Sequence, residues 1–232
     1  MAAPTRVGPS VWADCFQLLA IALTCPDDVM AADVASGGLV QDLHSVLDAL
    51  AGETPASQQA LLELNKITES MAALLPQERK EAQASLKSAL RREYTRLFTD
   101  PREPEVAIYE TLFCTPAQPR DDFGPTLVRS AAAADALAQY RAAGLELKER
   151  DSADHMRIEC EFCGYLYRCL ATEASAERRE TLWAQRVTFV DTHIRPWFSD
   201  FFAACLARAR HPFYRLAFEM GLRAAAALRE EA

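Results

Sequence analysis

No stretch of the 232-residue chain reaches the roughly eighteen consecutive apolar residues that a membrane-crossing helix needs, so no stable membrane insertion is expected. Basic residues are few. Lys and Arg total 25 against 33 Asp and Glu, a formal net charge of -8 at pH 7. That balance speaks against a nucleic-acid partner, whose phosphates need a basic surface, and suits a basic one. Glycine is scarce, at eight residues, and apolar and polar residues nowhere alternate for long, which leaves little room for sheet. Neither GxxxxGK nor GxGxxG occurs, so neither phosphate-cradling loop is expected. The seven cysteines are odd in number and scattered, which fits reduced thiols better than a disulfide framework. The apolar run Cys15–Leu23 is interrupted by Gln17 and lacks both a strong basic flank and a cleavage site, so a cytoplasmic location is expected.

What is abundant is Ala, Leu and helical spacing, and the predicted fold class is all-α. Helices are expected over Ser10–Leu23, Leu39–Leu50, Ser57–Leu75 and Gln77–Phe98, the last with Leu86, Leu90, Tyr94, Leu97 and Phe98 on one stripe. Residues 100–125 differ in kind. Pro101, Pro104, Pro116, Pro119 and Pro125 leave room only for a short helix over Glu105–Cys114. With this loop folded back, Tyr109 and Phe113 would join Tyr94, Leu97 and Phe98 in a peptide groove; otherwise these rings fill core between helices. Toward the end, Ala176–Ala207 is dense in aromatic residues and interrupted at Pro196, and Pro212 opens a final helix, Phe213–Leu228.

The strongest local signal lies at a joint between two helices. Leu137 and Tyr140 mark one face of a helix that Gly144 stops, because glycine takes positive φ without steric cost. A charged connector follows, and a second helix begins near Asp151 or Ser152, with Ile158, Phe162 and Leu166 at helical spacing. At about 100° per residue, His155 and Glu159 lean toward that apolar face, while Arg157, Glu161 and Arg168 point to water. One reading of Asp154-His155 is structural: Asp151, Ser152 or Asp154 caps the helix and His155 bonds to Glu159. The other is a binding site. Substitution of both Asp154 and His155 separates the two, since a binding role predicts lost binding with melting intact.

Catalysis finds little support. Cys160 and Cys163, near His155 and Cys169, offer part of a metal or redox-thiol site, but Cys160 and His155 lie about 140° apart on one helix and cannot face one metal. Glu-x-x-His carboxylate spacing is not repeated on two helices. His44, His193 and His211 have no matched partner in the sequence. No catalytic residue, metal ligand or cofactor is expected.

The ordered motifs carry a resemblance. Tyr140-x-x-x-Gly144-Leu145, Asp154-His155-Met156 and Glu159-x-Glu161-Phe162 resemble the signature of the TorD/DmsD family of redox-enzyme maturation chaperones. Tyr94-x-x-Leu97-Phe98, Tyr109-Glu110-Thr111, Phe189-x-x-x-His193-Ile194-x-x-Trp197-x-x-x-Phe201 and Phe213-Tyr214-x-x-Leu216-Ala217 are similar to further segments of that family, in its order. Ala153 stands where the family often has Pro, and the cysteines between Glu159 and Phe162 are not part of its motif. The resemblance implies a TorD-like helical bundle. Its two helical lobes would be residues 1–148, with the Pro-rich loop 100–125, and 156–232, joined by a hinge at 149–155. Such lobes can exchange to form a homodimer. The implied partner is a molybdopterin oxidoreductase precursor with its twin-arginine leader. Asp154, His155, Tyr94, Leu97, Phe98, Tyr109, Phe113 and Glu159 are the expected client-binding residues, with Glu149 and Asp151 as further carboxylates for the arginine pair. The alternatives are a metal- or thiol-based redox protein using Cys160 and Cys163, and a general helical adaptor.

Overall fold

The computed structural model describes residues 7–51, 54–115, 130–148 and 152–231. Eleven α-helices are present among them: α1 (Pro9–Ala22), α2 (Asp28–Ser36), α3 (Gly38–Ala51), α4 (Pro55–Ala72), α5 (Pro76–Tyr94), α6 (Glu110–Cys114), α7 (Ala131–Ala142), α8 (Met156–Thr172), α9 (Ala176–Phe189), α10 (Phe198–Arg208) and α11 (Pro212–Glu230). The fold is all-α, as the periodicity predicts. The only extended pairing among the described residues is a single antiparallel bridge between Tyr109 and His155.

Local chemistry sets the helix ends. Thr54 caps α4 by accepting from the Ser57 amide at 3.1 Å, the Ser57 hydroxyl accepts from the Thr54 amide at 2.8 Å, and Pro55 fills the first position, where no amide is missed. Gly144 takes φ +79° just past α7, with the Leu145 amide donating to the Tyr140 carbonyl and the Gly144 amide to that of Arg141. This is the left-handed stop expected of that glycine. The stripe ending at Phe98 is not one continuous α-helix: α5 gives way to a π-helical turn at Thr95–Thr99. A second π-helical turn, Val190–Ile194, follows α9, and the chain breaks around Pro196 as expected.

The helices form two compact units, each built from non-adjacent segments. The first comprises Met1–Ile21 and Ala107–Phe201, the second Ala22–Val106 and Phe202–Ala232. These boundaries differ from the linear lobes drawn from the sequence. Helices α7 and α8, on either side of residues 149–155, belong to the same unit, because each packs on segments distant in sequence. Residues 116–125 of the Pro-rich segment and 149–151 of the joint lie outside the described residues, and with them Glu149 and Asp151.

In the second unit α11 lies against α3 and α4, and α2 against α5. Tyr94 and Phe98 meet edge to face at 5.4 Å, and Phe98 meets Phe218 at 6.2 Å. The Tyr94 and Tyr214 hydroxyls donate to the carbonyls of Leu23 and Leu90. Gly221 is required by close approach, since a Cβ there would stand 2.5 Å from the Phe202 ring.

In the first unit the aromatic stack of Trp12, Phe16 and Tyr167 joins α1 to α8, with ring centroids 5.7–5.8 Å apart. Phe162 packs edge to face on Phe189 at 4.6 Å and on Tyr140 at 4.7 Å, drawing α7, α8 and α9 together. Arg186 is buried with its guanidinium donating to the Tyr167 hydroxyl and lying over the Trp183 ring. Helix α8 is therefore enclosed over most of its circumference.

Candidate functional site

The joint before α8 is a staple between two distant stretches of chain. The Met156 amide donates to the Ile108 carbonyl at 3.0 Å, and the Glu110 amide donates to the Asp154 carbonyl at 2.8 Å. Asp154 is 0 % exposed, and its Oδ2 accepts from both the amide and the hydroxyl of Thr111. The carboxylate thus caps α6 rather than α8. His155 itself caps α8, its Nδ1 accepting from the Arg157 amide at 3.1 Å, so that nitrogen carries no proton. Its ring meets Tyr109 edge to face at 4.9 Å. From the other side the Tyr140 hydroxyl donates to the Ala153 carbonyl at 2.7 Å. Tyr140, Asp154 and His155, separate motifs in the sequence, are one structural assembly.

Two parts of the sequence reading are corrected here. The expected bond from His155 to Glu159 is not made, because His155 turns to the backbone of its own first turn. Arg157, read as solvated, is only 7 % exposed, and its guanidinium donates to Glu161 at 2.8 Å.

Beneath the joint lies a cluster of acids. Glu159 is 0 % exposed, and neither carboxylate oxygen has a hydrogen-bond partner. Burial pushes its carboxyl well above the ordinary glutamate range, and the nearby Glu110 and Asp154 push it further. His193, on the second π-helical turn, places Nδ1 2.8 Å from Glu110 Oε2 and Nε2 2.9 Å from Asp135 Oδ2. Burial pulls this imidazole down, but the hydrogen bonds and charges of Glu110 and Asp135 outweigh it and hold it above its ordinary value. Asp135 is held low, first by Gln139 and then by His193. His193 has matched partners after all. They sit 58 and 83 residues away, where no spacing rule reaches.

The expected client-binding residues divide between the two units. Asp154, His155, Glu159, Tyr109 and Phe113 belong to the first; Tyr94, Leu97 and Phe98 are buried in the core of the second. Tyr109 is half-buried, and Phe113 packs on Trp197 at 5.5 Å and Phe201 at 5.9 Å. Cys160 and Cys163 are fully buried in the first unit, and burial holds both thiols well above their ordinary value, which favours the neutral thiol.

Beside the joint the first unit carries an open groove of about 270 Å³ that the sequence did not announce. Tyr140, Leu145, Leu147, Ile158, Phe162 and Tyr165 give it an apolar floor, and Glu146 and Glu161 add two exposed carboxylates. The α7 stop at Gly144 supplies one wall and the first two turns of α8 the other. The staple fixes both.

No helix among the described residues is long and apolar enough to cross a membrane. A search of curated proteins finds no match. A family model described as nitrate reductase delta subunit matches residues 54–203, well over half the chain, beginning at the Thr54 cap of α4 and ending within α10. The chain belongs to the nitrate reductase delta subunit family, a family of molybdoenzyme maturation chaperones.

Proposed function

We propose that this protein is a cytoplasmic chaperone dedicated to one molybdopterin-containing oxidoreductase, binding the leader peptide of that enzyme, its apo form, or both, and assisting cofactor loading before export. The observation that carries the reading beyond the family is the groove between the end of α7 and the start of α8. A twin-arginine leader offers a pair of guanidinium groups followed by an apolar segment. The groove offers carboxylates next to rings and aliphatic side chains, the complements of both. The net charge of -8 favours encounter with a cationic peptide.

In this reading Asp154 and His155 act through the joint. They hold α8, and with it Ile158, Glu161, Phe162 and Tyr165, against the segment at 108–111; they do not meet the guanidinium groups themselves. The protein works by holding: no bond of the client is made or broken. Purification of the tagged chain from its native cytoplasm tests this. The expected result is co-purification of a molybdoenzyme precursor that still carries its leader. Recovery of the chain with no molybdoenzyme, under conditions where that enzyme is expressed, contradicts it.

A further inference from the structure

We infer that the first unit contains a binding site for one divalent transition-metal ion, formed by the carboxylates of Glu110 and Glu159 and by Nδ1 of His193. The three ligand atoms lie within 4.8 Å of one another. A metal bound at about 2.0–2.2 Å to each would set its ligands roughly 3–3.5 Å apart, which small side-chain rotations reach. The residues come from three segments: the first position of α6, the first turn of α8 and the second π-helical turn.

Glu159 points to a ligand independently of this proximity. A carboxylate with no exposure and no donor on either oxygen is a costly thing to keep, and such groups in folded proteins are ordinarily matched by a partner. Around it stand two acids, Glu110 and Asp154, and the Trp197 indole, whose N–H is already given to the His193 carbonyl at 2.6 Å; Asp154 also has an unpartnered oxygen, Oδ1.

The remaining geometry is that of a metal-bound histidine. Asp135 stands at Nε2 of His193, 2.9 Å away, and fixes the proton on that nitrogen. Nδ1, 2.8 Å from Glu110 Oε2, would give up the proton it shares with that carboxylate and turn its lone pair to the ion. A carboxylate behind one ring nitrogen and the metal before the other is the usual way a histidine ligand is oriented and made more basic. One imidazole nitrogen and two carboxylates suit Mn²⁺, Fe²⁺ or Zn²⁺, and not a thiophilic ion. The ion would tie α6, α8 and the π-helical turn together beneath the joint. This goes beyond the client-binding reading and stands or falls separately from it.

The probe is Mn²⁺, which favours oxygen ligands and disregards the exposed thiols of Cys25 and Cys114. The full chain is stripped with chelator, desalted and titrated, and free Mn²⁺ is read from its electron paramagnetic resonance signal. The expected result is one equivalent bound by the wild type and an affinity at least about 100-fold weaker in Glu159→Gln, which keeps the side-chain shape but loses the anionic ligand. Asp135→Asn, at an exposed position, is expected to weaken binding about 10-fold by loosening the histidine. No uptake by the wild type, or equal affinity in the wild type and both variants, overturns the site.

Discussion

Asp154→Ala is expected to destabilise the protein by about 2–4 kcal/mol, lowering the thermal midpoint by roughly 5–15 °C. The carboxylate is fully buried and accepts two hydrogen bonds from Thr111 through one oxygen. Alanine removes both bonds and leaves the Thr111 amide at the start of α6 without its acceptor. Neighbouring contacts cannot compensate easily, because the backbone bonds at Ile108–Met156 and Glu110–Asp154 depend on the same register. Asp154→Asn retains an acceptor oxygen and should cost less than half as much. Denaturant or thermal unfolding of the two variants checks this. An unchanged midpoint in Asp154→Ala would mean that the aspartate is not the staple, and would return it to direct contact with a client.

Glu159→Gln should do the opposite. In chelator at neutral pH it is expected to stabilise the protein by about 1–3 kcal/mol, although the position is fully buried and only one residue of α8 changes. The sign follows from linkage. The folded carboxyl has its pKa raised well above the ordinary value of 4.5, with burial the leading cause, so folding takes up a proton. The wild type therefore keeps full stability below about pH 4.5 and loses it as pH rises toward the folded value. Glutamine has no such penalty. The gap between wild type and variant should be absent at pH 4, open above it and widen toward neutrality. A variant less stable than the wild type at neutral pH in chelator would show that Glu159 has a favourable partner in the fold. Two carboxylates five residues apart are thus expected to move stability in opposite directions. Asp154 accepts from Thr111 twice, whereas Glu159 has only the Trp197 indole near it, and that N–H is given to the His193 carbonyl.

This contrast also marks how far the sequence was legible. Helical periodicity located almost every helix, and Gly144 and Pro196 marked their stops, since these are local properties of the backbone. The joint was visible because Tyr140, Gly144, Asp154 and His155 lie close in the chain. Its meaning was not, because the partners of the joint, Ile108 and Thr111, come from the far side of residues 116–129. The same limit hid the His193 cluster and the partition into two units of non-adjacent segments. Arg157 was misread for a related reason. Helical projection distinguishes one buried face from one wet face, whereas α8 is packed by α1, α7, α9 and the segment at 108–111, so even its charged flank is covered. The π-helical turns at Thr95–Thr99 and Val190–Ile194 leave no compositional mark, yet the second one carries His193.

The central claim is that the groove beside the joint receives a twin-arginine leader. It is tested most directly by titrating the protein with a synthetic peptide containing an arginine pair followed by an apolar segment. The wild type is compared with the charge reversal Glu146→Lys with Glu161→Lys, and each protein's thermal midpoint is recorded alongside. The account predicts saturable binding by the wild type and at least about 10-fold weaker binding by the double variant, with helicity retained. Equal affinity in the two proteins, or no binding by the wild type, would contradict it.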